Sequence, residues 1–78
     1  MSRSATTQQR LNPHKLLLSK WTAAHPVKRE KHFLVSELFC DEQGEVLAIE
    51  LQAVLTRRSE RIYWRELQNV ERWKIGWT

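Results

Sequence analysis

The 78-residue sequence contains one cysteine, two glycines and two prolines, and no apolar run near the roughly 20 residues that a membrane span requires. Each shortage excludes something. With Cys40 alone there can be no internal disulfide, hence no disulfide framework of the secreted kind. Met1 to Arg10 also lacks the hydrophobic stretch of a signal peptide, so a reducing cytoplasm is the expected location, without a membrane partner. Two glycines, at 44 and 76, are too few for a Gly-rich phosphate loop or a dinucleotide fingerprint. No Ser/His/Asp spacing suggests an activated nucleophile, and so short a chain seldom encloses a pocket of several hundred Å³. The expectation is a protein that is not an enzyme.

At 9.3 kDa there is room for one core. A chain this size buries only about 60% of the surface exposed when unfolded, so each bulky apolar side chain weighs heavily in its stability. Trp21, Trp64, Trp73 and Trp77 supply that bulk, together with Tyr63, Phe33 and Phe39. Residues 1–10 are polar, without apolar period, and read as a disordered tail, leaving 11–78 as a single small domain.

Charge is distributed in three blocks. Residues 1–35 hold seven cationic side chains against Glu30 alone, a surplus of +6. Residues 36–56 hold five acids and no Lys or Arg. Residues 57–78 hold six cations against three acids, a surplus of +3 within a net charge of +4. The layout suits either a polarised surface that meets a polyanion or two basic ends folded onto an acidic hairpin.

Asn12-Pro13 opens a short helical turn running to Leu18, because Asn can accept from an early N–H and Pro loses no needed donor there. Trp21 to Ala24 reads as a short strand closed by Pro26, and Lys28 to Lys31 as a basic loop. Lys31 to Thr56 is a β-hairpin about Asp41-Glu42-Gln43-Gly44. Its far arm alternates, which points Leu47, Ile49, Leu51, Ala53 and Leu55 inward. The near arm (Phe33, Leu34, Val35, Leu38, Phe39) is apolar on both faces, as in a central strand covered on both sides. After a turn at Arg57 to Glu60, Arg61 to Trp64 forms a third strand, and Asn69 caps a last turn spanning Val70 to Trp73 that Gly76 ends. The fold expected is mainly β: a small, strongly bent antiparallel meander of SH3-like partial-barrel shape, with a short N-terminal helical turn and a short C-terminal turn. An α+β arrangement is the alternative.

The blocks Asn12-Pro13-His14-Lys15-Leu16-Leu17-Leu18-Ser19-Lys20-Trp21-Thr22-Ala23, Glu30-Lys31-His32-Phe33, Ala53-Val54-Leu55-Thr56, Trp64-Arg65-Glu66-Leu67, Trp73 and Gly76-Trp77 occur in one order over about residues 11 to 77. In this the chain resembles a family of short tryptophan-rich bacterial proteins of uncharacterised function. The resemblance implies no catalytic or binding residues.

His14, His25, His32 and Cys40 lack the two-to-five-residue ligand spacing of structural zinc sites, so no metal and no cofactor is expected. The four Trp are expected mainly as packing, with Trp21 and Trp64 in the core and Trp73 and Trp77 capping its ends. Alternation along the third strand sets Arg61, Tyr63 and Arg65 on the face opposite Ile62 and Trp64. Bases stack on aromatic rings while cations hold phosphates, so this face points to nucleic acid, RNA in particular. The residues expected to take part are Arg57, Arg58, Arg61, Tyr63 and Arg65, joined by Lys28, Arg29 and Lys31. Tyr, Trp and Arg are also enriched at protein interfaces, so a protein–protein adaptor or a homodimer is the alternative for a non-catalytic binding module.

Overall fold

The computed structural model describes residues 10–78; the sequence-predicted tail at 1–10 falls outside them except for Arg10, which is exposed and belongs to no helix or strand. The chain forms one five-stranded antiparallel sheet: β1 (Lys20–Val27), β2 (Glu30–Cys40), β3 (Val46–Ala53), β4 (Ser59–Tyr63) and β5 (Trp73–Ile75). Two short 3-10 turns, Pro13–Lys15 and Trp64–Gln68, are the helical elements among the described residues. Mainly β is therefore right, and α+β is not. The strand order is β4-β3-β2-β1-β5. β4 and β5 lie at opposite edges of one open antiparallel sheet.

The local chemistry behind these elements is direct. Asn12 Oδ1 accepts from the His14 N–H at 3.0 Å and Pro13 starts the first 3-10 turn, which stops at Leu16 rather than Leu18. Asp41 Oδ1 accepts from the N–H groups of Gln43 and Glu45, and Gly44, at φ +81°, closes the β2–β3 hairpin as the sequence suggests. β1 continues past Pro26 instead of ending there. Its pairing with β2 breaks between Thr22 and Val27, so the missing proline donor falls in the gap. Lys28 and Arg29 are not an open loop with Glu30 and Lys31. They alone form the turn, and the latter two already belong to β2.

One face of the sheet carries the core. Register sets Trp21 beside Phe33, Phe33 beside Ala53, Val35 beside Leu51 and Leu38 beside Ile49. Leu16, Trp64 and Leu67 roof this row, so Trp21 and Trp64 are core as expected, while Leu67, fully buried, is a core residue the sequence pattern did not single out. The outer face is not covered in the same way. Leu34 and Phe39 are half-buried there, which corrects the expectation that β2 is covered on both sides. Trp77 crosses that face, its Nε1–H donating to the Phe33 carbonyl at 2.9 Å, and remains partly exposed.

Two bulges change the inward row. Between Val35 and Glu37 the register slips at Ser36, and between Phe39 and Cys40 it slips at Leu47. The extra residue brings Val46 into step with Ile49, Leu51 and Ala53, and turns Leu47 out to solvent. Leu55 is exposed too, because β3 ends at Ala53. Strict alternation misplaced both leucines. Accordingly, Val46→Ala should lower the unfolding free energy by about 1–3 kcal/mol and Leu47→Ala by less than about 0.5 kcal/mol, measured by urea denaturation. β5 was also missed: the Asn69 turn ends at Arg72, and Trp73 to Ile75 pair with β1 at Ala23 to Trp21.

Candidate functional site

Two turns meet at one end of the sheet. The β1–β2 turn, Lys28-Arg29, joins Val27 to Glu30, and the β3–β4 turn comes back beside it, since Val54 N–H donates to the His32 carbonyl and Thr56 Oγ1 to Glu30 Oε2. Lys28 (φ 55°), Arg29 (φ 67°) and Arg57 (φ 62°) all adopt left-handed backbone. These are three of the four non-glycine residues that do so among those described, the other being Leu18. Two successive positive φ values give a turn of type I′, whose twist matches that of the strands it joins. Asn-Gly suits such a turn best, and a long side chain there costs about 1 kcal/mol per residue.

Between these turns lies a half-open cleft of about 230 Å³ on the core face of the sheet. Phe33 and Trp73 meet edge to face at its floor, with ring centroids 5.2 Å apart at 86°. Ala23, His25 and Val27 of β1 form one wall, and Glu30, Arg58, Glu60 and Arg72 supply charge around it. Glu30 is almost fully buried, yet its carboxylate is well satisfied. Arg58 donates to it through Nε at 3.1 and 3.0 Å and through Nη2 at 2.6 Å, and Thr56 adds a hydrogen bond at 2.5 Å. The Arg58 guanidinium also donates to Glu60 at 3.0 Å.

The hydrogen bonds from Arg58, then that from Thr56, hold the Glu30 carboxyl down at about 2 against an ordinary 4.5, while burial opposes them and the nearby Arg58 and Lys28 charges assist. Its hydrogen bonds to Glu30, then to Glu60, push the Arg58 guanidinium upward. A carboxyl whose pKa is depressed by folding stabilises the fold fully above its unfolded value and loses that contribution as the pH falls toward its folded value. Stability in urea should therefore decline between about pH 4.5 and pH 2, and Glu30→Gln should flatten part of that decline. A profile identical to wild type would assign the acid sensitivity to other groups.

The eight sequence-predicted contact residues do not form one face. Lys28, Arg29, Lys31 and Arg57 gather at the end just described, and none is within ion-pair distance of a carboxylate among the described residues. Arg58, half-exposed, is tied to Glu30 and Glu60. Arg61 lies on the outer face with its guanidinium 3.8 Å from the centre of the Phe39 ring. Tyr63 is 73% exposed and ends β4. Arg65 belongs to the following 3-10 turn, where it stacks on Trp64 at 4.9 Å and leaves the strand alternation. Both Tyr63 and Arg65 border the groove beside Glu45 to Leu47, far from the Lys28 turn.

Among the described residues, no ion pair ties the acidic 36–56 block to either basic block. The pairs among the described residues join Arg58 to Glu30, Arg58 to Glu60 and Arg72 to Glu66, all outside the 36–56 block. The acids of that block lie on the β2–β3 hairpin, whose tip is at the opposite end of β2 from Lys28 and Arg29. Sequence reasoning missed His25, Phe33, Arg72 and Trp73 as a group. The available signal was the opposite charge of Glu30 and Arg58 on neighbouring turns; the pairing of β5 with β1, which carries Trp73 to Phe33, had none.

The four histidine and cysteine positions form no cluster: no group of three or more His, Cys, Asp or Glu able to hold a metal occurs among the described residues. No helix among them is long and apolar enough to cross a membrane. Residues 19–78 match the family model of the tryptophan-rich proteins DUF2389. The chain belongs to that family. The family is uncharacterised, and the match covers every strand and the whole cleft of this tryptophan-rich protein. No curated protein and no solved structure matches the chain.

Proposed function

We propose that this tryptophan-rich protein is a non-catalytic module that binds single-stranded nucleic acid, RNA above all, through its basic end. The observation that carries the proposal is the placement of Lys28, Arg29, Lys31 and Arg57 around one pair of turns, none of them within ion-pair distance of a carboxylate among the described residues. Three of these cations occupy backbone that other residues would adopt at lower cost, a strain that favours a role outside folding. A cluster of uncompensated cations attracts phosphates and releases their counterions on contact. Arg58 is excluded from this role by its two carboxylates, and Arg61, stacked on Phe39, extends the contact surface only on the outer face.

The test is fluorescence anisotropy with mixed RNA and DNA oligomers at low salt. Binding should weaken with salt, with a slope of log K on log salt of about −3 for four phosphate contacts to a single strand. No binding at concentrations up to about 50 µM would overturn the proposal, since even non-specific phosphate contacts reach this range. A protein partner, or a second copy of the chain, is the second reading. It is favoured by the exposed Leu47 and Tyr63 flanking a groove with Phe39 next to the free edge of β4. Light scattering that shows a dimer, or association that survives high salt, would support it instead.

A further inference from the structure

We infer that the cleft between the two basic turns takes one unpaired nucleobase, held on the Phe33–Trp73 floor while its neighbouring phosphates lie on the cations outside. This deepens the binding reading given above and rests on it. Chain connectivity links the two regions: Lys28 and Arg29 sit between the cleft residues Val27 and Glu30, and Arg57 immediately precedes Arg58. A phosphate on either turn therefore has the cleft mouth next to it.

The interior of the cleft does not suit the phosphate itself. Glu30 and Glu60 offset Arg58 and Arg72, so the lining is nearly balanced in charge and a carboxylate would face any anion placed there. The features that remain are an aromatic floor and a polar rim. One oxygen of Glu60 accepts from Arg58, which leaves the other to accept from an exocyclic amine, and the His25 ring, exposed at the wall, can donate or accept. At about 230 Å³ the cleft is smaller than the roughly 300–1,000 Å³ of pockets for drug-sized ligands, and matches a single flat heterocycle better than a whole nucleotide. Stacking on an aromatic floor discriminates little between bases, so the expected gain is one of affinity more than of sequence.

The probes are a 12-nucleotide uridine/adenine RNA and an abasic ribose-phosphate strand of equal length, titrated into the full chain with anisotropy and tryptophan emission recorded together. The wild-type protein should bind the base-bearing strand about 10-fold or more tightly, with a change in emission that the abasic strand does not cause. Ala23→Leu, which fills the cleft without removing an aromatic ring, should bring the affinity for RNA down to that for the abasic strand, as should Trp73→Leu if its far-UV spectrum remains that of the wild type. Equal affinity for both strands overturns the base site and leaves phosphate binding in place. Binding of neither strand removes both. An emission change produced by an aromatic peptide and not by RNA would also overturn the base site, assigning the cleft to a protein side chain.

Discussion

Trp21→Ala should lower the free energy of unfolding by about 3–5 kcal/mol, enough to unfold a large part of a chain this short. A domain of this length has a total stability on the order of 4–12 kcal/mol. Trp21 is 99% buried, at 1% relative exposure, at the crossing of β1, β2 and β5, opposite Phe33 on one side and Ile75 on the other. Its indole N–H donates to Ser19 Oγ at 2.8 Å, and Ser19 in turn donates to the Leu16 carbonyl at 2.5 Å. The ring therefore fills the core and also anchors the N-terminal turn that roofs it. Trp21→Phe keeps most of the volume and should cost distinctly less. Urea unfolding followed by circular dichroism checks both, and equal losses for the two variants would mean that the indole hydrogen bond outweighs the packing.

The triple variant Lys28→Asn, Arg29→Gly, Arg57→Asn should separate folding from binding. Asn and Gly accept left-handed backbone more readily than long side chains do, so relief at three positions should raise the unfolding free energy by roughly 1–2 kcal/mol. The same changes remove three cations. Affinity for single-stranded RNA at low salt should fall about 100-fold, and the salt slope should lose about 2, near 0.7 for each phosphate contact. A more stable protein that binds as before would place the nucleic-acid contacts elsewhere, with the Arg61–Tyr63 stretch as the other basic and aromatic surface. A less stable protein would show that these cations hold the turns through contacts with the chain.

Much of the architecture was legible in the residues because each signal was local. Asn12-Pro13, the Asp41 to Gly44 turn and the alternation from Ile49 to Ala53 encode their conformations within a few positions. What failed was set by distant partners. The bulge at Leu47 shows only against Phe39 and Cys40 across the ladder, and it exchanges Leu47 for Val46 in the core. β5 has three residues and little pattern of its own; it is a strand because β1 offers an edge. The same limit governed the candidate site. Eight basic and aromatic residues were identified by type, but alternation ran past the end of β4 and attached Arg65 to Tyr63, and nothing in the linear charge pattern reveals that Arg58 already serves Glu30 and Glu60.

The acidic β2–β3 hairpin has a consequence for any polyanion that approaches. With Asp41, Glu42 and Glu45 at one pole and the Lys28, Arg29 and Arg57 turns at the other, the molecule carries a permanent electrical axis along β2. A strand bound as proposed would turn the protein so that the positive pole leads, and the negative pole would repel any length extending along the sheet. On the proposed reading, occupancy would then be confined to a few nucleotides per molecule, with the hairpins of several copies on one long strand pointing away from it.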